Sequence, residues 1–172
     1  MEWRLFSVEL ANLPADTAVP DHPTDFGGTA LQLLAHARRL EGNSAVARLY
    51  TSLGSAAHVR DEKLADPGVL KRAWSEAGLA DRERETAAAD LTLWQEVIRE
   101  HRAAVESCQA FGVPTLILDG GDGPGIFGPV ITEVPSDEES RELLRDVVRM
   151  TRRGYFFELK RDRDGHPLQT GS

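Results

Sequence analysis

The hydrophobic pattern of the chain changes at Gly112. From about residue 24 to residue 111, apolar residues recur at spacings of three and four, which predicts amphipathic helices. After Gly112, the run Thr115–Asp119 is typical of a buried strand, residues 120–125 of a turn, and Ile126–Gly128 of a second, short strand. The sequence therefore predicts a long helical region followed by a β-hairpin.

Two further elements flank these regions. Residues 3–10 alternate with a period of two, which predicts a strand, and the three prolines of residues 11–23 predict an irregular connection after it. After the hairpin, Ser136–Glu139 has the capping-box pattern ahead of an apolar stripe, which predicts a helix. The order strand, helices, hairpin, helix indicates a small α/β layer interrupted by a helical insertion.

Turn and capping residues divide the helical region. Gly42 is predicted to end one helix and Ser44 to cap the next, while Asp66 and Pro67 predict a capped helix start that Gly78 closes. The longest helix is predicted to begin near Asp90 and to place the following side chains on one inward-facing stripe: Leu91, Trp94, Ile98, His101, Val105 and Cys108.

Charge and composition exclude several classes of function. The net charge of −8 repels a phosphate backbone, and the basic cluster between Arg152 and Arg163 is predicted to complement a helix end rather than to bind nucleic acid. The apolar runs are too short for a membrane span, and the first twenty residues lack a signal pattern. We therefore expect a cytoplasmic protein with neither nucleic acid nor membrane as a partner.

Neither the histidines nor the glycine-rich loop of the sequence fits a metal or nucleotide site. The five histidines are scattered, and no pair has the i, i+4 spacing that converges on a metal. Gly123–Gly128 satisfies the pattern G-x-G-x-x-G, but Pro124 and Pro129 favour a turn and an extended segment over the strand and helix that a dinucleotide site needs. Neither a metal site nor a bound cofactor is predicted.

Three other features could belong to a functional site. The single cysteine, Cys108, excludes a Cys-x-x-Cys motif, and its place on an apolar stripe favours a structural role. Spacing alone favours a surface or capping role for His58 over a catalytic one. Val113-Pro114-Thr115 fits either an ordinary trans proline at a strand start or a cis proline that leaves neighbouring backbone groups free.

In combination, these features resemble the DsbA-like branch of the thioredoxin superfamily. Val-Pro-Thr before a strand, the hairpin, the capped terminal helix and the earlier helical block all match that branch. Within it, the sequence is similar to the mycothiol-dependent nitroreductase group of actinobacteria. The segments that carry this similarity are Leu49–Gly54 with His58, Gly112–Thr115, Phe127–Val130 and Phe156–Arg161.

The resemblance implies an α/β fold with a thioredoxin-like, DsbA-type sheet and an inserted, all-helical subdomain. Residues 1–12 and 112–172 would form the thioredoxin-like layer, and residues 13–111 the helical insertion.

The resemblance also implies which residues bind a thiol. Pro114 would be the cis proline, and Val113 before it would offer backbone groups to a bound thiol, with Thr115 and His58 as further binding residues. The implied partner is a small thiol or thiol adduct, with mycothiol or a similar low-molecular-weight thiol as co-substrate.

The sequence departs from the family at its catalytic segment. Members of the family open with a strand and a Cys-x-x-Cys at a helix N-terminus, where the dipole stabilises the thiolate. This chain starts at what resembles the second strand, so we expect the first β-α unit to be absent and no catalytic residue to lie in the chain. Its absence would leave bare strand edges at residues 3–10 and 115–119, and the chain would lack thiol-disulfide oxidoreductase activity.

Two alternative functions fit the same residues. The chain could be a non-catalytic thioredoxin-fold binding module, with a homodimer or a strand-completing partner covering the bare edge. It could also belong to a related isomerase or glutathione-transferase-like enzyme, whose nucleophilic serine would lie in the absent segment.

Overall fold

The computed structural model describes residues 1–87, 89–131 and 134–160. They divide into two compact units, Met1–Ala103 and a second that begins at Ala104. No helix in these described ranges is both long enough and apolar enough to cross a membrane.

The first unit is helical. Its helices are α1 (Val8–Ala11), α2 (Phe26–Glu41), α3 (Asn43–Gly54), α4 (Pro67–Glu76), α5 (Asp81–Ala87) and most of α6 (Leu91–Cys108). A π-helical turn, Ser55–Val59, continues α3. The core of the unit is built around Trp74 and Trp94, both fully buried, and each indole N–H donates to a backbone carbonyl.

The capping residues explain most of these boundaries. The Asp66 side chain accepts from the Gly68 N–H, with Pro67 at the first helical position of α4, as the sequence predicts. The prediction for Ser44 is wrong: Gly42, with φ of +76°, is the residue before α3, and the Ser44 hydroxyl donates to the Glu41 carbonyl. Glycine adopts this left-handed backbone without steric cost, which allows α2 and α3 to meet at one residue.

The predicted strand at residues 3–10 is wrong. These residues form an irregular segment followed by α1, and no strand of the described chain lies beside them. Side chains take the place of a partner strand: the Asn43 amide bonds both backbone groups of Trp3 at 3.2 Å, and the Leu5 N–H donates to the Glu100 carboxylate at 2.6 Å. An isolated strand has no ladder to satisfy its backbone, so the segment docks on helices instead.

The inward stripe predicted for α6 is correct only in its middle. Trp94, Ile98 and His101 are buried. Leu91 is 55% exposed and Val105 is 40% exposed, and neither belongs to the core of the first unit.

The second unit contains the predicted hairpin and the predicted final helix. Strands β1 (Thr115–Ile117) and β2 (Gly125–Phe127) pair antiparallel, and a short 3₁₀ turn, Asp119–Gly121, lies between them. Helix α7 (Asp137–Thr151) begins with the complete capping box of Ser136 and Glu139. The tail beyond residue 160, including Arg161 and Arg163 of the predicted basic cluster, lies outside the described residues.

Candidate functional site

The backbone entering β1 has one unpaired edge. The Gly128 N–H donates to the Pro114 carbonyl at 2.8 Å and the Leu118 N–H to the Pro124 carbonyl at 3.1 Å, while Leu116 lies opposite Ile126. Antiparallel strands alternate the direction of their backbone groups, so those of Val113, Thr115 and Ile117 point to the opposite edge. No strand of the described chain pairs with that edge.

Val113 is therefore the first residue of this open edge. Its side chain is 50% exposed, and neither its N–H nor its C=O makes a hydrogen bond with any described residue. The peptide bond between Val113 and Pro114 is cis, as is the bond between Gly128 and Pro129 across the hairpin. An extended ligand that carries an N–H and a C=O could pair with these groups as an added strand does.

Thr115 fixes the turn that leads into this edge. Its hydroxyl donates to the Gly112 carbonyl at 2.7 Å, which closes the loop around Val113 and Pro114. A side-chain bond of this kind within three residues holds a local turn. Thr115 is thus a positioning residue in this structure, since its side-chain oxygen is occupied by the backbone.

Two aromatic rings lie beside the turn. Phe111 and Phe127 have ring centroids 4.8 Å apart at an interplanar angle of 31°. Phe111 is 69% exposed and Phe127 is 40% exposed. A Cβ on Gly112 would lie 3.2 Å from the Phe127 ring, so the glycine lets the ring close over the turn. The two rings therefore form an exposed aromatic pair beside the turn.

Cys108 is held as a structural side chain. Its Sγ donates to the Ala104 carbonyl at 3.3 Å and is half-buried. A Cβ built on Gly125 would lie 2.6 Å from the Cys108 Cβ and 2.9 Å from its Sγ, so the cysteine packs directly on β2. Helix N-termini favour the nucleophilic thiolate, and Cys108 lies at the opposite end of α6, where carbonyl groups face the sulfur.

His58 lies in the first unit, on the π-helical turn Ser55–Val59. The Arg60 N–H donates to the Ser55 carbonyl at 3.0 Å, which is the i to i+5 bond of a π-helix. Single π-helical turns are rare and occur often at functional sites. The His58 side chain is exposed, so its ring nitrogens are available to solvent or a ligand.

Ion pairs fasten the chain that follows this turn. Glu62 pairs with Arg60 at 3.1 Å and with Arg72 of α4 at 2.6 Å, and Arg60 also reaches Glu76 at 3.2 Å. Hydrogen bonds from Arg72 and Arg60 lower the pKa of the Glu62 carboxyl below its usual range. The carboxylate is therefore ionised, and the pairs anchor the end of the π-helical turn to α4.

The structure brings together Val113, Pro114 and Thr115 and places His58 in the other unit. The sequence analysis did not identify Phe111 or the π-helical turn. Phe111 precedes the Gly-Val-Pro run and follows the apolar stripe of α6, so its aromatic type beside a predicted turn was the available signal. The π-helical turn leaves no recognisable signal in the sequence. Among the described residues, no group of three His, Cys, Asp or Glu side chains could hold a metal ion.

Two comparisons with known proteins match most of the chain. A family model described as "Rv2466c-like: Mycothiol-dependent nitroreductase Rv2466c" matches residues 1–161. A Mycobacterium tuberculosis protein named "Uncharacterized protein Rv2286c" is 30% identical over 162 residues, which cover 94% of this chain and 68% of that protein.

Proposed function

The chain belongs to the Rv2466c-like family of mycothiol-dependent nitroreductases, and we propose that it supplies the thiol-binding side of a thiol-disulfide exchange site. In this proposal Val113, Pro114 and Thr115 hold a low-molecular-weight thiol, mycothiol or a similar molecule, or its adduct. The family match also implies a thioredoxin-like fold.

The unpaired backbone of Val113 carries this proposal. Its N–H and C=O are free of hydrogen bonds among the described residues. A cysteine-based thiol contains amide groups, and these can make the two antiparallel bonds that an added strand would make. The Thr115 hydroxyl, bonded at 2.7 Å to Gly112, keeps the turn in the geometry that presents this edge.

The nucleophile of the exchange is not Cys108. In a thiol-disulfide exchange, a thiolate attacks one sulfur of a disulfide, the old S–S bond breaks as the new one forms, and the released thiolate takes up a proton. The Cys108 sulfur donates to a carbonyl at a helix C-terminus and packs on Gly125, so it is poorly placed to attack. The attacking cysteine would lie on a strand-helix segment that pairs with the open edge of β1.

The uncovered state of the second unit supports such a segment. Of its described apolar side chains, only those of Ala110 and Val147 are buried. No side chain of β1 or β2 is buried either. Sheets of two strands are marginal without further strands or a packed helix, so the hairpin gains stability when another element covers it.

A nuclear magnetic resonance titration tests the binding step. Mycothiol disulfide is added to the ¹⁵N-labelled chain, and we expect shifts at the amides of Val113, Thr115 and Ile117. Cys108→Ser serves as a control and should give the same shifts, because the cysteine takes no part. Shifts that avoid all three amides at millimolar ligand would overturn the proposal.

An activity assay tests the assignment of the nucleophile. The chain should not catalyse reduction of a mixed disulfide of mycothiol, either as the wild type or as Cys108→Ser. Turnover by the wild type that disappears in the variant would show that Cys108 is the nucleophile and would refute this part of the proposal. His58→Ala tests the remaining residue that the family resemblance implies: weaker disulfide binding with an unchanged fold would support a binding role, and unchanged binding would exclude one.

A non-catalytic binding module is the second candidate. The open edge of β1 also suits a strand from a partner chain, and this reading predicts association in place of thiol binding. Analytical ultracentrifugation separates the two, because the binding module forms a complex or dimer through β1 and leaves the Val113 amide unaffected by mycothiol disulfide.

A further inference from the structure

The first unit contains a cavity that the proposed thiol chemistry does not use. It has a volume of about 580 Å³ and lies among the start of α2, the chain before α4, and α5. Its walls are largely apolar, with Phe26, Leu33, Leu64 and Leu70 as the main lining side chains. Small-molecule sites in proteins typically have volumes of about 300–1,000 Å³, apolar walls and a few convergent polar groups.

Arg84 supplies a positive charge to this cavity. It lines the cavity from α5, and its Nε is buried without a hydrogen-bond partner among the described residues. No carboxylate of those residues forms an ion pair with it, although the neighbouring Arg82 pairs with Glu83 at 2.9 Å. A buried guanidinium nitrogen without a partner is costly, so this geometry favours an anionic occupant.

Gln32 is a second unpartnered polar group on the wall. It is only 6% exposed, yet its side-chain amide makes no hydrogen bond with any described residue. Buried amides in native proteins are nearly always bonded to protein or water. Because Gln32 lines the cavity, a polar ligand group inside the cavity can bond its amide in place of water.

Two acidic side chains, those of Asp25 and Glu9, lie near the cavity. Asp25 lines it, but one of its oxygens accepts from the Gly28 N–H at 2.6 Å as the cap of α2. Glu9 accepts from the Thr24 N–H at 3.1 Å, and its other oxygen is buried against Gly28 without a hydrogen-bond partner among the described residues. Glu9 does not line the cavity and Asp25 caps α2, so Arg84 is the lining charge that is left to select a ligand.

We propose that this cavity binds a small carboxylic acid with an apolar, ring-sized body. The carboxylate pairs with Arg84, Gln32 donates to or accepts from the same polar end, and the apolar body contacts Phe26 and the leucines. A planar guanidinium matches a carboxylate in two parallel bonds, which makes the carboxylate the preferred anion. The inference is independent of the thiol site, since every lining residue belongs to the first unit.

The probe is 2-naphthoate, and its neutral counterpart is 2-naphthamide. Isothermal titration calorimetry should show naphthoate binding about tenfold or more tightly than naphthamide, as expected for a hydrogen bond to a charged group. In the ¹⁵N spectrum, naphthoate should shift amides of α5 and of the first turns of α2. Equal affinity for the two probes, or shifts confined to other residues, would overturn the proposal.

Matched variants distinguish the loss of the Arg84 charge from a general effect on folding. Arg84→Gln should remove the preference for naphthoate, whereas Arg82→Gln, an exposed neighbour on α5, should retain it. Gln32→Leu should weaken both probes while the circular dichroism spectrum stays unchanged. If Arg84→Gln fails to fold, Arg84→Lys keeps the charge without the planar fork, and it should bind naphthoate with intermediate affinity. Equal losses in the Arg82 and Arg84 variants would refute the site.

Discussion

Glu100 holds the irregular segment at residues 3–7 onto α6, and its removal should detach that segment. The carboxylate accepts from the Leu5 N–H at 2.6 Å and from Arg38 at 2.6 Å, and its side chain is only 15% exposed. Hydrogen bonds to charged groups contribute about 1.5–3 kcal/mol, and Arg38 keeps its other partner, Glu96. We therefore expect Glu100→Ala to cost about 2–3 kcal/mol of unfolding free energy, mainly through the lost bond to Leu5.

Urea unfolding followed by tryptophan fluorescence measures this cost, and amide exchange localises it. Glu100→Gln is the control, because its amide oxygen still accepts from the Leu5 N–H, and it should lose only about 1 kcal/mol. In Glu100→Ala the Leu5 amide should exchange much faster than in the wild type. If that amide stays equally protected, the backbone of residues 3–7 has another partner, and the docking argument is refuted.

Three further changes test other parts of the structure. Burial, and secondarily the nearby Arg102, lowers the pKa of His101 in the folded protein below its usual value of 6.5. The neutral imidazole therefore contributes a stability that is fully present above pH 6.5. This contribution is lost as the pH falls from 6.5 through the lowered pKa of the folded state. In His101→Gln the urea unfolding midpoint should fall less steeply than in the wild type as the pH is lowered below 6.5. Trp94→Phe should lower the unfolding free energy by about 2–3 kcal/mol, because it leaves the Pro20 carbonyl without the indole N–H that donates to it at 2.9 Å. The control is Trp3→Phe, at a partly buried position, which should cost under about 1 kcal/mol. Equal losses in the two variants would contradict the role of the hydrogen bond. Gly125→Ala should cost about 1–3 kcal/mol in thermal unfolding, and an unchanged midpoint would show that Cys108 does not pack there.

The elements that the sequence predicted correctly depend on local chemistry. The capping box at Ser136, the Asp66-Pro67 start of α4 and the hairpin at residues 115–127 are all specified within a few residues. The family resemblance, drawn from short motifs, is confirmed by the match over residues 1–161. Within the candidate site, the Val113–Thr115 turn could be predicted for the same reason, because it is a contiguous motif.

The incorrect predictions depend on what lies beside an element in space. Residues 3–10 have the alternation of a strand, but alternation records only which side chains share a face, and it cannot supply the neighbouring strand that a ladder requires. The ends of α6 carry apolar residues at helical spacing, yet Leu91 and Val105 remain exposed because no other described element covers them. The cavity beside Arg84 could not be predicted either, since its walls come from three separate segments of the chain.

The two units differ in how completely their side chains and backbone groups are paired. In the first unit the helices bury one another, and even the short segment at residues 3–7 finds side-chain partners for its backbone. In the second unit the hairpin exposes both faces in part, and the edge that begins at Val113 has no partner among the described residues. An exposed sheet edge presents unpaired N–H and C=O groups to which another strand can add. The edge that we propose for binding a thiol adduct is therefore the same edge to which a further strand could add.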